Sequence, residues 1–331
     1  MNRKSVWLVT PLLLACVHLA QAQPSRKVVR IGYLGLNQSP SSLSAAEKDL
    51  LNELRKHGWI EGQNLVIERR YWENRADRLS AQAAELVRLK IDIIVTNTGT
   101  AAQAAKKATT TIPIVMVSSA DAVNQGLAIS LARPGGNVTG VTTVSPVVTG
   151  KRHELLKEAF RGISRVAVLR CVPVTDSSGP GTRKKEWNEA QDAARILKIE
   201  LLPVTIPGAE ESEGALKIIM RERAEALLMS DCPRIPAEAT IKMAATSRLP
   251  AIYPYSYFVR KGGLMSFGAN LSDLYRRAAT HVDKILKGVK PADLPVEQPK
   301  KFDLAINLRT ATQIGVTIPP DLLYRADKII K

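Results

Sequence analysis

LVIERRYWENRADRLSAQAAELVRLKIDIIVTNTGTAAQAAKKATTTIPIVMV, residues 65–117, alternates between two patterns over five segments. Ile91–Thr96 and Ile112–Val117 are short runs rich in Val and Ile, the composition of strands buried in a sheet, and Leu65–Tyr71 also reads as a strand. Between them, Ala76–Leu89 and Thr100–Ala108 carry Ala and Leu at helical spacing. Strand, helix, strand, helix and strand at these lengths predict right-handed crossovers and a parallel sheet covered by helices on both faces. The fold class is therefore α/β.

The same alternation continues in both directions. Upstream, Val28–Leu34 predicts a buried strand, and Leu43, Ala46, Leu50, Leu51 and Leu54 recur at helical spacing until Gly58. Downstream, the turn cluster Arg133-Pro134-Gly135-Gly136-Asn137 introduces a short strand, Val138–Val144. A second series begins near Arg165, with strands Val166–Cys171, Ile199–Val204, Ala226–Ser230 and Ala251–Tyr253 separated by helices over 184–197, 211–223 and 236–247. Gly262-Gly263-Leu264-Met265-Ser266-Phe267 then leads into a long helix, Leu271–Leu286, closed by Gly288. An extended Phe302–Leu308 and a helical segment after Pro319-Pro320 finish the chain.

A helix and a strand left over after the second series are awkward for two consecutive beads. They fit two Rossmann-like lobes with parallel sheets if the chain crosses between lobes three times, near 142–146, 266–270 and 294–303. The expected lobes are 23–142 with 270–293, and 143–269 with 294–331, and the three crossovers form a hinge. Ligands in open α/β sheets sit beyond the carboxyl ends of the strands. Two facing sheets place that edge on both walls of a cleft.

The N-terminus restricts the setting. Arg3 and Lys4 precede an apolar run from Val6 to Ala20 that ends at Ala20-Gln21-Ala22, the pattern of a signal peptide, 1–22, cleaved after Ala22. The run is shorter than the roughly 20 residues that span a bilayer, so an exported, periplasmic protein is expected. Leu13-Leu14-Ala15-Cys16 offers the alternative of lipid anchoring at Cys16, but the apolar run continues past Cys16 to the small-x-small site, which favours release. Loss of Arg3 and Lys4 lowers the formal net charge from +16 to about +14. Its basic residues are scattered, with Arg183-Lys184-Lys185 the sole triplet, which reads as solvated helix faces and not as a nucleic-acid site.

Seven stretches run in order over nearly the whole mature chain: Ile31-Gly32-Tyr33-Leu34, Ala84-Glu85-Leu86-Val87, Thr98-Gly99-Thr100-Ala101-Ala102, the run from Ser130 through Arg133-Pro134-Gly135-Gly136-Asn137 to Gly140, Leu249-Pro250-Ala251-Ile252-Tyr253-Pro254, Gly262-Gly263-Leu264-Met265-Ser266 and Leu294-Pro295-Val296-Glu297-Gln298-Pro299. In them the chain resembles the ABC-transporter substrate-binding proteins related to the tryptophan/tyrosine-binding type. The resemblance implies a type I periplasmic-binding fold and a transport role: a monomer that captures a small molecule, an amino acid or an aromatic or carboxylate compound, by hinge closure and presents it to ABC permease subunits. The chain departs from the family pattern at Arg170-Cys171-Val172-Pro173-Val174-Thr175 and Ser230-Asp231-Cys232-Pro233-Arg234. Both follow second-lobe strands and should face the ligand.

Ligand-binding candidates follow from the strand ends. Thr98, Gly99 and Thr100 open a helix, whose first N–H groups attract an anion, with Gly99 permitting close approach; an ordinary Thr cap is the alternative. Ser119 and Asp121 follow the next strand, where Asp121 pairs with a ligand ammonium or caps a helix. Asn37 and Gln38 follow the first strand. In the second lobe, Ser177, Asp231, Tyr253, Ser256 and Asn270 occupy corresponding positions, and Tyr253 and Tyr255 either stack on a solute or pack at the hinge.

Cys171 and Cys232 each follow a second-lobe strand. In a doubly wound sheet the first strand lies between the second and the third, so these ends are neighbours about 4.8 Å apart. That suits a disulfide in an oxidising compartment; two free thiols are the alternative.

Catalysis is not expected. His57, His153 and His281 lack zinc-ligand spacing, and no GxSxG elbow, Walker loop or CxxC is present. No cofactor and no metal are expected. A sugar-sensing repressor core shares this architecture but requires an N-terminal helix-turn-helix where this chain has a leader. A periplasmic sensor that presents its liganded form to a receptor kinase is the remaining alternative to an importer subunit.

Overall fold

The computed structural model describes residues 28–36, 43–73, 75–171, 180–206, 212–232, 235 and 237–331. The first series forms a sheet of β1 (Val29–Gly35), β2 (Leu65–Tyr71), β3 (Ile93–Thr96), β4 (Ile114–Ser119) and β5 (Val138–Thr142). Its order is β2-β1-β3-β4-β5, parallel throughout. Every residue of β3 is buried, which is why its sequence is an unbroken apolar run and not an alternation. The crossovers are α1 (Ala45–Lys56), α2 (Ala76–Arg88) and α3 (Gly99–Ala108). A capping box opens α1: Glu47 N–H donates to Ser44 Oγ, and Ser44 N–H donates to the Glu47 carboxylate. Two otherwise orphaned donors are thereby satisfied.

The second sheet contains β6 (Arg165–Cys171), β7 (Glu200–Ile206), β8 (Ala226–Met229), β9 (Ala251–Tyr253), β10 (Met265–Ala269), β11 (Phe302–Asn307) and β12 (Lys328–Ile330). They lie in the order β12-β11-β10-β9-β8-β6-β7, and only β10 with β11 is antiparallel. Around it run α4 (Ser145–Ala159), α5 (Pro180–Leu197), α6 (Ser212–Arg221), α7 (Ala237–Thr246) and α8 (Ser256–Arg260). The long α9 (Leu271–Leu286) instead returns to the first sheet, where Leu274, Ala278 and Val282 share one core with Ile31, Val95 and Val117. The chain ends with α10 (Leu308–Ile314) and α11 (Pro320–Arg325), whose Ile314 and Leu322 close the second-sheet core with Leu156, Val168 and Ile306. Together these are two mostly parallel sheets in separate lobes, an α/β architecture.

The chain passes between lobes from β5 to α4, from β10 to α9, and again before β11. The last passage lies between Glu297 and Phe302, within the stretch 294–303. Leu294–Glu297, expected in the second lobe, pairs with β5 of the first sheet: Thr139 Oγ1 donates to Leu294 O at 2.7 Å, Thr142 N–H to Glu297 O at 2.9 Å, and Val141 bridges Glu297. Arg277 of α9 also forms an ion pair with Glu297. β5 is an edge strand whose free backbone groups would otherwise face solvent, so this segment covers it before the chain returns. In the first passage Val144 has φ 46°, a costly left-handed conformation for a β-branched residue.

Candidate functional site

The carboxyl ends of β1, β3, β4, β8 and β9 converge on a cleft of about 800 Å³ between the lobes. In each sheet the strand order reverses there, at β1/β3 and at β6/β8, where open α/β sheets hold their ligands. The volume falls in the range of small-molecule sites, roughly 300–1,000 Å³.

One wall belongs to the first lobe. Thr98 caps α3, its Oγ1 accepting the Ala101 N–H at 3.1 Å. The N–H groups of Gly99 and Thr100 precede the first intrahelical bond, and both residues line the cleft. Gly99 has a different reason from the one expected: a Cβ there would run into the side chain of Gln125, which in turn accepts from Ser119 Oγ at 2.5 Å. Beside the helix end stand three phenols, Tyr33, Tyr71 and Tyr275, and the carboxylate of Glu47. The Tyr33 and Tyr275 hydroxyls are 3.3 Å apart, and Tyr71 OH donates to Glu47 Oε1 at 3.1 Å. Burial, reinforced by the Glu47 charge, pushes the Tyr71 phenol up to about 12; burial likewise raises Tyr33.

The facing wall is centred on Asp231, just past β8. Its Oδ2 accepts from Tyr255 OH at 2.5 Å and from Thr143 Oγ1, in the first crossover, at 3.5 Å. Its backbone N–H donates to Glu186 Oε1 of α5 at 3.2 Å. Burial first, and the Asp231 charge second, hold the Glu186 carboxyl above the usual carboxylate range and push the Tyr255 phenol up. Tyr257 and Phe258 stack with ring centroids 4.3 Å apart and line the same wall. Cys232, also on this wall, is disulfide-bonded. A side cavity of about 50 Å³ adjoins it; there the Arg170 guanidinium sits 4.3 Å over the Trp187 ring, and burial lowers the Arg170 pKa.

At the hinge end Asn270 caps α9, its Oδ1 accepting from Asp273 N–H at 2.9 Å. Its amide nitrogen donates to both carboxylate oxygens of Asp303, which also pairs with Lys328 Nζ at 2.8 Å.

Of the residues chosen from sequence, Thr98, Gly99, Thr100, Asp231, Ser256 and Asn270 line the cleft. Three do not. Ser119 is fully buried and committed to Gln125, while the neighbouring Ser118 reaches the cleft instead. Asp121 turns back to accept from Asn124 N–H at 3.1 Å and pairs with Lys185 at 3.5 Å. Tyr253 is a core residue stacked on Phe258, 5.0 Å between centroids, and the half-buried Tyr255 lines the cleft instead. For Ser119 the period-2 alternation of a strand gives the reason: a shift of one residue, to Ser118, exchanges the core for the wall. Asn37, Gln38 and Ser177 lie outside the described residues, as do Cys16 and residues 1–22. Sequence reasoning missed Tyr33, Tyr71, Tyr275 and Glu47. Tyr33 sits inside a strand, where a Tyr reads as core, and Tyr275 lies within a helix whose contacts the sequence does not specify. Among the described residues no group of three His, Cys, Asp or Glu side chains could hold a metal ion, and no helix is long and apolar enough to cross a membrane.

Two sheets joined by three crossovers, with a polar and aromatic cleft at their facing carboxyl edges, define a solute-binding protein of the type I periplasmic-binding fold. Residues 38–330 match the family model for ABC transporter substrate binding proteins, and the chain belongs to that family. Such proteins bind a small-molecule solute on the extracytoplasmic side and work with the other components of the transporter. The tyrosine-binding protein of Clostridioides difficile is 26% identical over 289 residues, covering 86% of this chain and 80% of the relative. A conserved domain protein of Vibrio cholerae superposes with a TM-score of 0.81 at 27% identity, covering 92% of this chain and 100% of the other. A Streptococcus domain crystallised with L-Trp gives a TM-score of 0.81 at 24% identity, covering 91% and 99%, and shares the fold.

Proposed function

We propose that the protein captures an α-amino acid with an aromatic side chain, closes its two lobes over it, and delivers it to an ABC permease for import. The observation that carries this reading is a pairing across the cleft. On one wall the start of α3 offers N–H groups and the Thr100 hydroxyl to a carboxylate. On the other, Asp231 is bonded to Tyr255 and Thr143 but, among the described residues, to no cation, and so suits an ammonium. Tyr33, Tyr71, Tyr275, Tyr255 and Tyr257 supply ring surface between them. The relative named for tyrosine binding agrees in ligand class.

Calorimetry of the mature protein against the twenty amino acids tests this. Tyrosine or tryptophan should bind with a dissociation constant in the micromolar range or below, about −8 kcal/mol or more favourable. Thr100→Val removes the hydroxyl with little change of shape, and Asp231→Asn removes the charge. Each should weaken binding by about tenfold or more, the worth of a charge-assisted hydrogen bond. Unchanged affinity in both variants would sink the two-wall model.

A further inference from the structure

Polar groups follow one another along the first-lobe wall in a fixed order. Asn97, next to the start of α3, adjoins the Tyr275 hydroxyl, which lies 3.3 Å from that of Tyr33. The Tyr33 ring meets the Tyr71 ring edge-on, 6.2 Å between centroids, and Tyr71 ends on Glu47. The row therefore runs from an anion-attracting helix end, past phenol rings, to a carboxylate.

Glu47 is held in place without being saturated. Oε2 accepts the Ser44 N–H at 2.9 Å and Oε1 the Tyr71 hydroxyl at 3.1 Å. An ionised carboxylate has about four acceptor positions, so roughly two are left. No ion pair reaches Glu47 among the described residues. Arg69, which its field reaches, is bidentate with Glu61 at 2.6 and 2.9 Å.

We propose that Glu47 is the specificity residue for the far end of the solute. It accepts a hydrogen bond from a ring N–H or O–H on the ligand side chain and so selects indole and phenol side chains over a plain phenyl. The inference rests on the reading of the cleft as an amino-acid site. Closing the lobes strips water from Glu47. A phenyl ring leaves its spare acceptor positions unpaired, which is costly for a charged group, whereas a ring donor replaces the lost water with a charge-assisted bond. Sites built around a ligand hydroxyl or N–H discriminate against the analogue lacking it far more strongly than apolar pockets discriminate by size. Because Glu47 keeps two internal bonds, a discrimination of about 10–100-fold is expected here.

The experiment is calorimetry with L-tyrosine, L-tryptophan, L-phenylalanine, O-methyl-L-tyrosine and L-arginine, on the wild-type protein and on Glu47→Gln. Gln preserves the capping box and removes the charge. In the wild type, tyrosine or tryptophan should bind about 10–100-fold tighter than phenylalanine and O-methyltyrosine. In Glu47→Gln that ratio should shrink by about tenfold, through weaker binding of the donor-bearing rings and tighter binding of phenylalanine, which no longer leaves a charge unpaired. Equal wild-type affinity for donor-bearing and donor-free rings overturns the proposal. So does a Glu47→Gln that weakens all ligands alike, or arginine binding tighter than either aromatic. If the variant fails to fold, the tyrosine and O-methyltyrosine pair on the wild type decides. Failure of the amino-acid reading is distinct: no amino acid binds the wild type at all, and the role of Glu47 falls with it.

Discussion

Glu186 is the residue whose environment makes the plainest prediction about pH. Its carboxyl meets the Asp231 N–H and Thr149 Oγ1, at 3.2 and 3.4 Å, and its pKa is raised by burial and then by Asp231, against the opposing charge of Arg152. A carboxyl with a raised folded-state pKa binds more protons in the native than in the unfolded chain between the two values. Stability therefore falls as pH rises from the unfolded value, about 4.3, through the folded one, and is level above it. Gln at this position accepts the same two bonds and carries no such penalty. Glu186→Gln should melt higher than the wild type at pH 8, by about 2–4 °C for each kcal/mol relieved, and the two should converge near pH 4. A melting-temperature gap independent of pH would remove Glu186 from the account. None of this was legible in the sequence, where Glu186 reads as one more charge on a solvated helix. The signal that makes Asp231 a candidate, a carboxylate just beyond a strand, was legible because strand ends can be read from apolar runs. The neighbours that set its chemistry are Tyr255, Thr143 of the first crossover and Glu186 of α5, all distant in sequence.

Elements whose buried residues are apolar were read from the sequence, and a helix that buries polar side chains as well was not. α4 shows the limit: Val148, Leu155 and Leu156 are buried, but so are Thr149, Arg152 and His153, so no apolar stripe repeats at helical spacing. Arg152 is there to tie elements together, donating Nε–H to Phe267 O of β10 at 2.8 Å and reaching Ser145 Oγ at 3.5 Å. β10 was read only as a lead-in to α9, and β12 as part of a terminal helix. The strand order was predicted correctly around β6 and β8, and this bears on Cys232. Leu169 pairs with Met229 and accepts from Ser230 N–H at 3.0 Å, so the strand that ends at Cys171 runs parallel to the one that leads to Cys232. We propose that Cys171 is the partner in the Cys232 disulfide. The mature protein, denatured without reductant, should then show no free thiol, and Cys171→Ser should expose one. Closing a loop of roughly 60 residues is worth up to about 4 kcal/mol in the chain-entropy estimate, so reduction should lower the melting temperature by several degrees. Two free thiols in the unreduced wild type would defeat the pairing.

At the scale of the whole molecule, the question is what holds two lobes on three thin connections in one arrangement. The hinge itself is well tied: Asn270 and Lys328 converge on Asp303, and Thr142 and Thr143 bond back to Ser119 O. Across the cleft the contacts are fewer. Lys185 of α5 reaches Asp121 of the first lobe at 3.5 Å with the lysine half exposed, and Thr143 reaches Asp231 at 3.5 Å. An exposed ion pair is worth about 0–1 kcal/mol, too little to hold the lobes closed without ligand. A solute that bonds α3 on one wall and Asp231 on the other binds the closed form far better than the open one, and only such a difference can shift the equilibrium. Moving from mostly open to mostly closed requires a preference of about 10⁴-fold, near 5.5 kcal/mol, which two charge-assisted bonds and buried ring area can supply. Small-angle scattering should therefore show a smaller radius of gyration on saturation with the amino acid that calorimetry selects. Lys185→Gln should leave that compaction intact, raise the dissociation rate less than about fivefold, and lose even this effect above about 0.5 M salt, where surface pairs are screened. A radius of gyration unmoved by saturating ligand would mean that capture occurs without closure. A Lys185→Gln variant that no longer compacts would mean that the ion pair, and not the ligand, drives it.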